Sequence, residues 1–161
     1  MENLYIKPIG NICIKDNEIS IKIGQEYIKA LQALQALDGF GHINVFWWFS
    51  DFDNDKARKT LEVKQPYKNS PKIMGIFATR SPVRPNPIAL STVKVLNIDY
   101  NNGIIKIPYI DAKDGSPVID IKPYTPSLDR VENPEVPEWC KHWPLSLEQS
   151  ANFNWSNEFN F

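Results

Sequence analysis

Eight short runs rich in β-branched and aromatic residues follow one another along this chain, and one stretch with helical spacing interrupts them. That rhythm restricts the fold more than any other feature. Glu18–Ile23 (EISIKI) places Ile19, Ile21 and Ile23 on one face, the alternation of a half-buried strand. Tyr5–Ile14 precedes it and is its expected hairpin partner across Lys15-Asp16-Asn17. His42–Phe49 (HINVFWWF) is built from residues that suit a pleated surface. Leu61–Gln65, Lys72–Ala78, Leu90–Tyr100, Ile104–Asp111 and Pro117–Tyr124 complete the set. Asn101-Asn102-Gly103 predicts a tight hairpin, because Asn and Gly tolerate positive φ. The helix is expected over Glu26–Asp38, where Tyr27, Leu31, Leu34 and Leu37 fall near one face and Gly39 follows as a stop. Phe52–Arg58 is charged and reads as a loop. Many short strands leave edges to protect, and closing the sheet removes them. The expectation is an all-β domain over residues 1–125, a single-sheeted β-barrel with one main helix.

Beyond Pro126 the composition changes. Pro126, Pro134, Pro137 and Pro144 alternate with Trp139, Trp143 and Trp155, so residues 126–161 are expected to wrap the barrel or dock on a partner subunit. No apolar run approaches the ~20 residues of a membrane helix, and the first residues lack the pattern of a secretory signal. Cys13 and Cys140 fit no metal or redox spacing, and reduced thiols in a cytoplasm are the simplest reading. The net charge of -1 argues against coating nucleic acid nonspecifically, but leaves room for a local basic patch.

Two segments carry more chemistry than a connector needs. In Ala78–Ser91 (ATRSPVRPNPIALS), Arg80 and Arg84 offer planar forks of donors suited to carboxylates or phosphates. Pro82, Pro85 and Pro87 stiffen the chain between them, and Asn86 can both donate and accept. The same arginines could equally pair with carboxylates of their own chain. In Asp111–Tyr124 (DAKDGSPVIDIKPY), Asp114-Gly115 marks a turn. Asp120, Lys122 and Tyr124 then alternate with Ile119 and Ile121, so an acid, an amine and a phenol share one face. Such a line could relay a proton, or form an ordinary surface ion pair. His42 and His142 read as structural.

GIFATRSPVRPNPIALS (Gly75–Ser91) followed by DAKDGSPVIDIKPY (Asp111–Tyr124) resembles the TsaA/TrmO-like family. LDGFGHINVFWWF (Leu37–Phe49) and WCKHWP (Trp139–Pro144) resemble further family segments. The resemblance implies a β-barrel that binds S-adenosylmethionine, works as a homodimer, and methylates the N6 atom of threonylcarbamoyladenosine in tRNA beside the anticodon. Carried over by motif, cofactor contacts fall on Ser50, Asp51, Arg80, Leu90, Asp114, Gly115, Ser116, Pro117 and Val118. Arg80 would then clamp the methionine carboxylate, and Asp111 or Asp114 the ammonium or ribose. The Gly115-Ser116 backbone would meet the adenine edge, with Leu90 or Val118 against its face. Arg84 and Asn86 are the expected substrate contacts. No metal is needed, because methyl transfer from a sulfonium is a direct displacement. Asp120, Lys122 and Tyr124 are the candidates for deprotonating the acceptor or stabilising its charge. Lys64, Lys68, Lys72, Arg80 and Arg84 form a candidate phosphate-facing patch, or else simply solubilise the surface.

The chain departs from the family pattern at its start. Ile9-Gly10 runs into NICIKDNEISIKIG, without the Arg-Ser-Pro motif and the Pro-Arg-Gln-Pro-Gly-like loop that help enclose the cofactor in many members. Ser50-Asp51 replaces a histidine-containing pair, Ala89 a glycine and Ser116 a threonine.

Overall fold

The computed structural model describes residues 4–28 and 33–161. Seven strands form one antiparallel sheet: β1 (Gly10–Lys15), β2 (Glu18–Ile23), β3 (His42–Trp48), β6 (Ile88–Lys94), β7 (Asn97–Asp99), β8 (Ile104–Ile107) and β9 (Pro117–Pro123). Their spatial order is β6-β3-β9-β1-β2-β8-β7. Two further strands, β4 (Glu62–Lys64) and β5 (Ile73–Gly75), make a separate hairpin. The fold is all-β, as the alternating runs imply, but the expected single-sheeted barrel is not closed: among the described residues no ladder joins β6 to β7, and β4–β5 form a second sheet.

Turn chemistry sets the β1–β2 register. Asp16 and Asn17 take φ of 51° and 64°, and Lys15 pairs with Glu18. Gly10 allows β1 to approach β2 closely: a Cβ there would lie 2.3 Å from the Lys22 carbonyl oxygen. The inward residues Ile12, Ile21, Ile43, Val45, Ile105 and Val118 are wholly excluded from solvent. Each contributes roughly 1.5–3 kcal/mol by burial.

Leu90–Tyr100 is not one regular strand. It bends at residues 95–96 into β6 and β7, which occupy opposite edges of the sheet. The Val95 N–H bonds the Gly41 carbonyl on the β3 side, and the Leu96 N–H bonds Lys106 of β8. A flat seven-stranded sheet would hold its edge strands roughly 29 Å apart. Three Cα steps from Lys94 to Asn97 reach at most ~11 Å. The sheet is therefore curled, and the covalent chain joins its edges where a ladder would close a barrel.

The helical prediction is the least accurate. Among the described residues, α1 covers only Gln25–Ile28, and Leu37–Gly39 forms a separate 3₁₀ turn. Ala36 (φ 64°) is left-handed, which no continuous helix through Asp38 allows. Leu31 lies outside the described residues. The charged segment read as a loop holds α2 (Asp55–Arg58), capped by Asn54, whose side-chain oxygen accepts the Ala57 N–H at 3.0 Å.

The tail packs on the β4–β5 hairpin of its own chain. Tyr67 stacks on Trp139 (5.5 Å, 15°) and meets Trp143 edge-on at 4.9 Å. Trp155 continues the cluster to Trp143 and Phe159. Backbone bonds from Lys68 to Glu158 and from Asn160 to Pro66 stitch the two together. Nearer the sheet, α3 (Pro126–Asp129) covers the outer face of β3. There the Thr92 hydroxyl donates to Asn44 Oδ1 (2.7 Å), and Asn44 Nδ2 donates to Asp129 (3.0 Å).

Candidate functional site

β3 is central to the site because it pairs antiparallel with both β6 and β9. Its C-terminal end therefore adjoins the N-terminal ends of its two neighbours. Three segments must meet at that rim: the exit of β3 (Phe49–Asp53), the proline-arginine loop before β6, and the Asp-Gly turn before β9. Direct contacts show that they do. The Phe49 N–H donates to the Pro87 carbonyl at 2.8 Å, and Lys113 forms an ion pair with Asp51. The two long motifs thus flank one strand end. A β-bulge in β9, between the partners of Phe46 and Trp47, lies just inside this rim.

The loop is stiff for local reasons. Thr79 is buried and its hydroxyl accepts the Ser81 N–H, while Ser81 Oγ accepts the Val83 N–H. Pro87 is fully buried at the other end. Between these anchors Arg80 and Asn86 are exposed and Arg84 is half-buried. Arg80 Nη1 rests 3.3 Å from the Leu90 carbonyl, leaving most of its donors free. Tyr67, from the hairpin beneath, lies against Arg80. Burial pushes its phenol up, and the Arg80 backbone and guanidinium partly offset that shift.

The Asp-Gly turn is held from β1. Asp114 Oδ1 accepts the Ile14 N–H at 2.8 Å, and the Gly115 N–H donates to the Ile12 carbonyl at 2.8 Å. Asn11 Nδ2 donates to the Gly115 carbonyl at 3.1 Å. Gly115 has φ 79°, which explains the glycine. The opening stretch that lacks the family's enclosing loop is therefore the strand that grips this turn.

The Gly115 and Ser116 N–H groups donate to the Ile12 and Lys113 carbonyls. The Val118 side chain lies in the core, and its carbonyl accepts from Ile9. Ser116 is buried, and Pro117 is half-buried at the start of β9. Ser50, Asp51, Asp111 and Asp114 all present exposed surface at the rim. Partial burial pushes the Tyr109 phenol up, and the charge of Asp111 adds to it.

Leu90, Phe46 and Asp120 pair across three strands on the outer sheet face. Leu90 is 42% exposed, and Asp120 stands two strands away, roughly 10 Å. Lys122 is one row further along, opposite Asn44, and its ammonium pairs with Asp120 Oδ2 at 2.7 Å. Tyr124 is another row on, beside His42, with ring centroids 6.4 Å apart. It is ~13 Å along the strand from Asp120. The structure thus brings Asp120 beside the Leu90 row and sets Tyr124 apart from it.

The donor set suits a zwitterionic sulfonium nucleoside: a free arginine fork for a carboxylate, several carboxylates for cationic groups, and an exposed leucine for an apolar face. Residues 5–130 match the model of the tRNA-methyltransferase O N-terminal domain. The chain belongs to that family. An S-adenosyl-L-methionine-binding protein of Archaeoglobus fulgidus is 41% identical over 115 residues, covering 71% of this chain and 75% of its own. A probable S-adenosyl-L-methionine-binding protein of Methanocaldococcus jannaschii is 40% identical over 125 residues, covering 78% and 95%. A solved TrmO structure superposes with a TM-score of 0.64 at 25% identity, covering 84% of this chain and 64% of that one. The chain thus spans just under two thirds of the solved TrmO chain.

Within this tRNA-methyltransferase O N-terminal domain, four residues that contribute to the site escaped the sequence reading. Asn11 and Ile14 lie far from the turn they hold. Arg58 sits in the charged run that reads as a loop. Tyr67 belongs to none of the motifs that the sequence singles out.

Proposed function

We propose that this protein is an S-adenosylmethionine-dependent methyltransferase acting on the N6 atom of threonylcarbamoyladenosine in tRNA, working as a homodimer. The observation that carries this reading is the convergence of the two family motifs at one end of β3. Bound S-adenosylmethionine would supply the electrophilic methyl group.

Arg80 holds the methionine carboxylate with its free donors. Asp51 and Asp111 face the cationic end. Leu90 offers an apolar contact on the outer sheet face. The rim's main work is alignment, since displacement at the methyl carbon demands a fixed line of attack. A carbamoylated N6 nitrogen has a delocalised lone pair, so losing its proton needs help. Asp120 takes that proton. Lys122, already paired with it, stabilises negative charge on the carbamoyl oxygen. Tyr124 orders the far end of the same face.

Support for a polyanionic acceptor comes from the hairpin leading into Arg80. Lys64, Lys68 and Lys72 are exposed there, and among the described residues none of them, nor Arg80 or Arg84, forms an ion pair.

Two measurements test the reading. Calorimetry should detect S-adenosylmethionine binding, and Arg80→Ala should weaken it about tenfold or more, equivalent to ~1.4 kcal/mol. Methyl transfer should occur to tRNA from cells lacking the N6-methyl group, and not to an unmodified transcript. No binding at millimolar cofactor would overturn the whole reading. Binding without transfer to either tRNA would redirect the acceptor to a small molecule, or leave a non-catalytic binding module.

A further inference from the structure

Among the described residues, the middle of the proline-arginine loop is hydrogen-bonded to another element, α2. Arg58 Nη1 donates to the Pro85 carbonyl at 3.0 Å. The same guanidinium donates through Nε to Asp53 Oδ1 at 2.5 Å and lies over the Trp48 ring, 5.6 Å from its centroid. Asp53 in turn accepts the Trp48 indole N–H at 3.0 Å. One planar cation therefore joins the end of β3, the turn after it and the loop that carries Arg84 and Asn86. Its neighbours set its orientation: Asp53 takes the Nε donor, Trp48 covers one face, and Pro85 takes an Nη1 donor. A lysine could not satisfy all three, having no plane to stack and no fork to share.

We infer that Arg58 is a positioning residue that fixes the middle of the proline-arginine loop and so sets Arg84 and Asn86 against the rim. Proline restricts φ within the loop but does not hold the loop to the sheet. Thr79 and Pro87 hold its ends. Without Arg58, the Arg84–Asn86 stretch loses its hydrogen-bonded tie to α2. The inference rests on the methyltransferase reading for its functional meaning, and on the hydrogen bonds alone for its mechanical one.

The test separates the two. Backbone order parameters of Arg84 and Asn86 are measured by NMR in wild type, Arg58→Ala and Arg58→Lys. Wild type should show values near the ~0.85 of rigid backbone, and both variants should fall towards ~0.6. Cofactor affinity should stay within about twofold, while KM for the undermethylated tRNA rises about tenfold in both variants, equivalent to ~1.4 kcal/mol. Guanidinium at tens of millimolar should restore Arg58→Ala but not Arg58→Lys, a rescue that general destabilisation does not produce. Unchanged order parameters in Arg58→Ala would overturn the clamp outright. A looser loop with unchanged KM would overturn its role in acceptor binding. A wild type that neither binds cofactor nor methylates tRNA would overturn the methyltransferase reading, and with it that acceptor role, while the order parameters still decide the clamp.

Discussion

Asp114 offers two physical roles that one pair of substitutions separates. Its carboxylate could contact the cofactor, or it could serve the turn by accepting the Ile14 N–H at 2.8 Å. A bond from a backbone amide to a carboxylate is worth roughly 1.5–3 kcal/mol, and solvent exposure here favours the low end. Asp114→Ala should therefore cost ~1–1.5 kcal/mol, or ~2–6 °C in Tm for a chain of this size. The turn should survive, because Gly115 keeps its bonds to Ile12 and Asn11. Asp114→Asn retains an acceptor oxygen for Ile14 and loses only charge, so its Tm should stay within ~1 °C. Cofactor affinity, read by calorimetry beside the melts, decides the role. If Asp114 only anchors, the Asn variant binds like wild type, and the Ala variant binds about tenfold more weakly as the turn relaxes. A stable Asn variant that loses as much affinity as the Ala variant would refute the anchoring role.

Other outcomes follow from the same contacts. Asn44→Ala removes the link from Thr92 to Asp129 on the outer face of β3, and should cost ~2–4 kcal/mol in chemical denaturation. A double-mutant cycle with Asp129→Ala should show coupling between them. Gly10→Ala drives a Cβ into the Lys22 carbonyl and should cost ~1–3 kcal/mol, weakening cofactor binding too because β1 holds the Asp-Gly turn. The Glu158 carboxyl is held below the ordinary glutamate range, chiefly by its hydrogen bond from His142 and then by that from Trp143. A depressed carboxylate contributes stability above its unfolded pKa and loses it as pH falls through the folded value. Tryptophan fluorescence of the tail should therefore change on the acid side of the ordinary glutamate range, and Glu158→Gln should remove that transition.

The strands were legible because half-buried β-structure writes its period into the residues: Ile19, Ile21 and Ile23 need no partner to announce their face. The proline-arginine loop and the Asp-Gly turn were legible as unusual chemistry, and the resemblance said what such chemistry serves. What joins them was not legible. The antiparallel pairing of β3 with both β6 and β9 is a long-range choice that local alternation does not encode. The grip of Asn11 and Ile14 on the turn crosses a hundred residues. The helix was overestimated because leucine spacing cannot reveal a left-handed Ala36. Arg58 was overlooked because a short helix of mixed charge resembles solvated surface until the carbonyl and indole around it are in view.

The bend at Val95–Leu96 makes one continuous run of backbone the link between the two edges of the curled sheet. A scission or inserted spacer there would let the curl flatten and spread two margins that no ladder covers, each open to recruiting a neighbouring chain. This short stretch should therefore tolerate lengthening far less well than the surface turn at Asn101-Asn102-Gly103, though both look like simple connectors.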